Sequence, residues 1–269
     1  MKQKLFFLLK VYVFWMILFF ILKLLFLVYN YRDAFNLPFS DWLRIFFHGA
    51  RLDLSAGAYL MFLPAILVLS GYIPKNKLYM KIINIYVFIM LFLIVFLGVA
   101  DMALYSYWGF RLDLTTVMTY LKTPGEAMAS VNISELLLLF LIMGVTIVLF
   151  IFFYKKVIRI PYKAFINIDF KTFVTVIFFT LLLILPARGG IGIAPVNLGT
   201  AYFHSDRFAN HSAINVLWNV IYSLTEKNKL DATFTFMPDG EALELFNKLH
   251  VRSEKGSERI IREWANILL

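Results

Sequence analysis

The hydrophobic positions of this chain neither alternate nor recur on a single helical face. They run in five nearly unbroken blocks, roughly 5–30, 54–73, 82–100, 136–154 and 170–187. Each block approaches the ~20 residues that cross ~30 Å of hydrocarbon at about 1.5 Å per residue. Segments apolar all round belong in lipid or deep in a large core. The blocks therefore predict five transmembrane helices, the last being the shortest. The first block is too long for a cleavable signal peptide, and no small-x-small site follows Tyr29-Asn30-Tyr31. Its two lysines, Lys10 and Lys23, lie toward opposite ends, where each is expected to snorkel outward. The spans otherwise read as nearly free of charge. That argues against a proton-coupled transporter or an ion channel, which keep ionisable groups near the midplane.

The segments between the blocks carry weaker periodic signals. Phe39, Trp42, Phe46 and Phe47 form one apolar helical stripe, which predicts that the loop 31–51 lies along the membrane surface. Thr123, Pro124 and Glu126 form a capping box with proline at the first helical position, predicting a short helix at about 124–131. A helix of about 211–224 is expected, with Ile214, Leu217, Trp218 and Ile221 as its buried stripe. Another is expected at 239–250, capped by Asp239, with Ala242, Leu245, Phe246 and Leu249 on one face. The charged stretch 251–262 reads as a linker. Gly189, Gly190 and Gly192 predict a tight turn where the fifth span ends. The fold class is thus all-α integral membrane: about five transmembrane helices with short amphipathic interfacial and extracytoplasmic helices.

Composition strengthens the membrane reading. Of 269 residues, 61% are hydrophobic and 16% charged, and 29 are Phe. Soluble domains carry about 25% charged residues. Mean hydropathy is +0.77. The absence of cysteine excludes disulfide and thiol chemistry. A net charge of +9 raises the question of nucleic acid. The basic residues sit in short clusters between apolar blocks, as topology signals do, so no nucleic-acid partner is expected. Lys2, Lys4, Lys75, Lys77, Lys81, Lys155, Lys156, Arg159, Lys163 and Lys171 fall on one side of a five-span chain. Arg32, Arg44, Arg51, Arg111 and Lys122 fall on the other. The positive-inside rule then predicts a multi-pass protein of the cytoplasmic (inner) membrane, with its N-terminus in the cytoplasm and its C-terminus outside. Tyr29, Tyr31, Trp42, Tyr105, Tyr107 and Trp108 match an outer aromatic belt.

Candidate chemistry gathers in the outer segments. The tetrapeptide Arg-Leu-Asp-Leu occurs twice, at Arg51-Leu52-Asp53-Leu54 and Arg111-Leu112-Asp113-Leu114, each followed by a hydroxyl residue. An aspartate there suits a helix cap, and an arginine suits a headgroup phosphate. Arg51, Asp53, Arg111, Asp113, Lys122 and Arg188 are accordingly the lipid-headgroup candidates. The alternative is an interfacial anchor plus a cap. His204, Asp206 and His211 match no standard metal-ligand spacing, so no metal is expected in this chain. No Walker A, G-x-S-x-G or H-E-x-x-H motif is present. No catalytic residue is assigned.

The order of these pieces resembles the membrane portion of lipoteichoic acid synthase-like proteins, the membrane-anchored phosphoglycerol transferases of the sulfatase/alkaline phosphatase superfamily. The residues that carry the resemblance are Arg51-Leu52-Asp53-Leu54-Ser55, Trp108-Gly109-Phe110-Arg111-Leu112-Asp113, Tyr120 through Ala127, Arg188-Gly189-Gly190, and Asn210 through Asn215 with Trp218-Asn219. The resemblance implies five helices (1–187), an extracytoplasmic helical linker (188–262), and the opening strand of an α/β catalytic domain at 263–269. The family's metal-binding Glu and nucleophilic Thr would fall beyond residue 269. The implied reaction is attack of that Thr on the headgroup phosphate of a lipid donor, with a divalent metal such as Mn²⁺ stabilising developing charge. This chain itself would need no cofactor. Its implied partners are membrane lipids, notably an anionic phospholipid donor, and the downstream catalytic domain. The same family architecture also fits the anchor of a sulfatase- or phosphatase-like hydrolase. A non-enzymatic small membrane protein is the reading from a different class.

Overall fold

The computed structural model describes residues 2–70, 78–122, 125, 132–158, 170–192, 194–233 and 240–247. Of the expected helix at 124–131 only Gly125, which is helical, is described; the capping residue Asp239, the linker 251–262 and the strand at 263–269 lie outside the described residues. No strand occurs among those described. The protein is an all-α membrane protein with five helices long and apolar enough to span a bilayer, Gln3–Tyr29, Phe39–Leu69, Met80–Trp108, Ile133–Ile158 and Phe170–Arg188.

Helix α1 (Lys2–Tyr29) is followed by the short α2 (Tyr31–Ala34), then α3 (Phe39–Ser70) and α4 (Leu78–Trp108). Helix α5 (Leu114–Lys122) follows, and α6 (Ile133–Phe153) runs into a π-helical turn at Tyr154–Ile158. Helices α7 (Phe170–Leu182) and α8 (Ile184–Arg188) form the fifth span. A 3₁₀ turn (Leu198–Ala201), α9 (Arg207–Ala213) and α10 (Val216–Thr233) complete the described order, with a further helix over 240–247.

Successive spans run antiparallel, so their ends gather at two poles. At the pole holding the N-terminus, Lys10 Nζ donates to the Val157 carbonyl at 2.9 Å. At the opposite pole, both carboxylate oxygens of Glu135 in the first turn of α6 accept from tyrosines, one from Tyr29 of α1 and the other from Tyr107 of α4. That carboxylate ties three helix ends together. The bundle core is aliphatic and aromatic. Phe14 packs edge-on to Trp15, Phe150 and Tyr154 at ring centroid separations of 5.0–5.8 Å. Helix α6 buries little: Ile133, Leu137, Phe140, Leu141, Val148 and Phe152 are all exposed, as lipid-facing residues of a span are.

Glycine ends two of the spans. Gly109 (φ +68°) accepts the left-handed conformation after α4, its N–H reaching the Tyr105 carbonyl at 2.8 Å. Gly189 (φ +86°) does the same after α8, as the glycine-rich turn predicted. A Cβ on Gly189 would stand 2.5 Å from Val196 Cβ, because the outgoing chain folds straight back.

The structure corrects two expectations. Residues 39–51 are not a separate surface loop but the first turns of α3, whose 32 residues are about 48 Å long. That is longer than the ~30 Å of a hydrocarbon core, and α3 packs against α9 and the 3₁₀ turn. Phe39 and Phe47 are exposed there, and only Trp42 and Phe46 pack inward. The expected helix at 211–224 is two helices broken at Ile214 and Asn215. Asn215 Oδ1 caps α10 by accepting from Trp218 N at 3.1 Å. Ile214, Leu217 and Trp218 are buried as expected, but Ile221 is exposed and Val216 and Val220 are buried in its place. The helix over 240–247 falls within the expected 239–250, with Ala242, Leu245 and Phe246 exposed, and Leu249 lies outside the described residues.

The compact unit that holds the spans extends to Ser223, with Leu224–Leu269 forming a second unit. Residues 194–223 therefore belong to the packed membrane unit.

Candidate functional site

The polar residues at the α6 N-terminal pole are held from three directions. Helix α1 supplies Lys23, six residues or about 9 Å of helix before its end. Helix α3 supplies Asp53, and α4 with the following turn supplies Asp101 and Arg111. Lys23 Nζ lies 2.8 Å from Asp53 Oδ2, both side chains nearly inaccessible. Arg111 Nη2 lies 2.8 Å from Asp101 Oδ2, the carboxylate being 1% exposed. These are two ion pairs withdrawn from water.

Each carboxylate has a second partner, as a buried charge requires. Asp53 Oδ1 accepts from Asn215 Nδ2 at 2.9 Å. Asp101 Oδ1 accepts from the Leu112 amide at 2.7 Å. The Arg111 guanidinium also lies over the Phe26 ring, 4.1 Å from its centroid, and donates to the His211 carbonyl at 3.3 Å. Its Nε has no hydrogen-bond partner among the described residues. Burial pushes Arg111 below its ordinary value, opposed by the adjacent Asp101 carboxylate. A cavity of about 20 Å³, the space of one water molecule, lies between the pairs, lined by Lys23, Asp53, Asp101, Arg111 and Asn215 among others.

The segment 207–223 is stitched to this cluster. Trp218 Nε1 donates to Ser55 Oγ at 3.1 Å, and Ser55 Oγ donates to the Ala187 carbonyl at 2.7 Å. Asn219 Nδ2 donates to the Leu112 carbonyl at 2.9 Å. Tyr105 and His211 share a hydrogen bond between Oη and Nδ1 at 3.1 Å. Burial, with Arg111 and Arg207 nearby, pushes His211 down to about 4, so it is neutral at physiological pH. Gly49 makes the crossing of α3 possible: a Cβ there would meet Lys23 Nζ at 2.2 Å and the Ala213 carbonyl oxygen at 2.4 Å.

The two Arg-Leu-Asp-Leu copies are used in opposite senses. In the first, mid-helix, Asp53 points inward to Lys23 while Arg51 is exposed and donates to the Gly189 carbonyl at 3.0 Å. In the second, at a helix start, Arg111 points inward and Asp113 caps α5, accepting from Thr116 N at 2.8 Å and from Thr116 Oγ1 at 2.6 Å. The capping role foreseen for aspartate therefore belongs to Asp113 alone. Of the six headgroup candidates, Asp53 and Arg111 are taken up in internal pairs. Arg51, Lys122 and Arg188 remain exposed, and Arg51 reaches the end of the helix that carries Arg188.

The expectation of charge-free spans is overturned in its detail. Lys23 does not snorkel; it is 5% exposed and paired. The apolar blocks 54–73 and 82–100 stop one residue short of Asp53 and Asp101, whereas the helices run on through both. A charge breaks a hydropathy run but not a helix, provided a partner neutralises it inside. Sequence reading gave no site role to Asp101, whose partner Arg111 lies past the end of the span, or to Asn215, whose partner Asp53 lies on another helix.

A second polar feature opens near the end of α4. A groove of about 480 Å³ is lined by Asp33, Tyr105 through Gly109, Asp206, Arg207 and Phe208. Asp206 Oδ1 caps α9 by accepting from Ala209 N at 3.0 Å. His204 lies elsewhere, its Nε2 3.4 Å from Asp41 Oδ2, and no group of metal-ligating side chains occurs among the described residues. The chain matches no family model, no curated protein and no solved structure.

Proposed function

We propose that this chain is the membrane-embedded, lipid-facing part of an envelope headgroup transferase of the sulfatase superfamily, acting outside the cytoplasmic membrane. Two lines support the reading: the order of motifs that resembles lipoteichoic acid synthase-like proteins, and the placement of exposed cations. The observation that carries the lipid-facing role is the contact of Arg51 with the α8 end. Its guanidinium, 138 residues distant in sequence, donates to the carbonyl of Gly189, next to Arg188. Two cations from different spans thus stand at one pole, where an anionic headgroup would meet them. In this reading the chain holds the donor and supplies no catalytic group. The Thr nucleophile and divalent metal would belong to a domain that follows on the same side of the membrane.

The buried pairs remove the argument that charge-free spans excluded transport. They do not thereby favour it, because the cavity between them has room for one water and no solute.

The test uses the full chain purified in mild detergent, with retained phosphatidylglycerol measured by native mass spectrometry. The Arg51→Ala/Arg188→Ala double variant is expected to retain several-fold less. Equal retention would remove the headgroup role. A reporter fused after residue 190 should be active only outside the cytoplasm; activity inside overturns the orientation.

A further inference from the structure

The groove at the end of α4 contains none of the headgroup candidates read from the sequence, and its charge pattern differs from theirs. Its lining carries two carboxylates, Asp33 and Asp206, and one guanidinium, Arg207. None of the three takes part in an ion pair within 4 Å among the described residues. The hydroxyls of the lining are already engaged: Tyr105 with His211, Ser106 with the Ala103 carbonyl, and Tyr107 with Glu135. The charged groups are therefore the ones left to meet a ligand. Asp206 keeps Oδ2 free of the capping bond made by Oδ1.

Depth and size narrow the ligand. Tyr107 and Trp108 are half-exposed in the last turn of a span, the position where amphipathic rings sit among headgroups. The volume falls in the range of roughly 300–1,000 Å³ typical of small-molecule sites. At Gly109 the left-handed turn lets the backbone approach Arg207, whose Nη2 would be 3.3 Å from a Cβ placed there.

We infer that this groove binds a zwitterionic phospholipid headgroup bearing a primary ammonium and a phosphodiester, of the phosphoethanolamine type. The ammonium lies between Asp33 and Asp206, and the phosphate meets Arg207. An anionic glycerol headgroup fits less well, because it leaves the two carboxylates facing like charge. The site is separate from Arg51 and Arg188, so it stands or falls independently of the transferase reading.

The experiment reconstitutes the full chain in phosphatidylcholine vesicles. These contain equal small fractions of either phosphatidylethanolamine or phosphatidylglycerol with a photoactivatable group beside the headgroup. Crosslinks are mapped by peptide mass spectrometry. Several-fold stronger labelling of Tyr105–Phe110 and Arg207–Phe208 by the ethanolamine lipid is expected. The Asp33→Asn/Asp206→Asn variant should bring the two lipids to equal labelling. Asparagine still caps a helix, so α9 is preserved. Arg207→Gln should weaken labelling by both lipids. Equal or stronger labelling by the glycerol lipid overturns the inference, as does a preference that survives the double substitution. Full competition by soluble glycerophosphoethanolamine overturns the lipid source.

Discussion

Removing Lys23 separates two accounts of the same residue. If Lys23 snorkelled to water, an exposed pair would be worth about 0–1 kcal/mol, and Lys23→Leu would be nearly silent. In the structure the ammonium is buried 2.8 Å from Asp53, whose remaining side-chain partner is Asn215. Lys23→Leu then leaves a buried carboxylate whose one remaining side-chain hydrogen bond is from Asn215, with Arg111 across the small cavity but already paired to Asp101. Breaking a buried pair costs about 3–5 kcal/mol, because the residual charge stays uncompensated. The Asp53→Leu variant strands the ammonium and should cost a similar amount. The double variant Lys23→Leu/Asp53→Leu removes both charges and leaves only Asn215 without its acceptor. That costs about 1–3 kcal/mol. The double variant should therefore be more stable than either single variant. The assay is equilibrium unfolding in mixed micelles by titration with a denaturing detergent, read by circular dichroism. Single variants within 1 kcal/mol of the parent, with additive effects in the double, would refute a desolvated pair.

Two further outcomes follow from packing and protonation. Gly49→Ala places a methyl against Lys23 Nζ and the Ala213 carbonyl oxygen; overpacking of this kind costs about 1–3 kcal/mol, and the same unfolding titration checks it. His211 is held neutral in the fold by burial, with Arg111 and Arg207 as like charges beside it and Tyr105 bonded to its ring. A depressed histidine leaves stability intact above the ordinary pKa of about 6.5. Stability then falls as the pH drops through 6.5 toward about 4. Midpoints measured at pH 7.5 and pH 5 should therefore differ less in His211→Gln than in the parent; an unchanged difference refutes the role of this ring.

The sequence by itself determined the solvent of this protein. Five apolar blocks are a property of single residues summed along a window, and lipid imposes one answer on such blocks, a helix with its backbone bonds satisfied internally. It also determined the local devices that depend on neighbours in the chain, such as the glycine turn at Gly189 and the cap at Asp113. It did not determine where the charges went. Arg-Leu-Asp-Leu is the same tetrapeptide twice, yet Asp53 turns inward in one copy and Arg111 in the other. The choice depends on which partner waits inside: Lys23, 30 residues from Asp53, and Asn215, 162 residues from it. Desolvating a charge is tolerable only when its partner arrives with it. Pairing is a two-body property: Lys23 and Asp53 come from segments no single window contains, and even Asp101 and Arg111, close in sequence, meet only because the chain turns back at Gly109. Only the tertiary structure brought them together, and in doing so it carried α3 and α4 through charges at which their hydropathy runs had stopped.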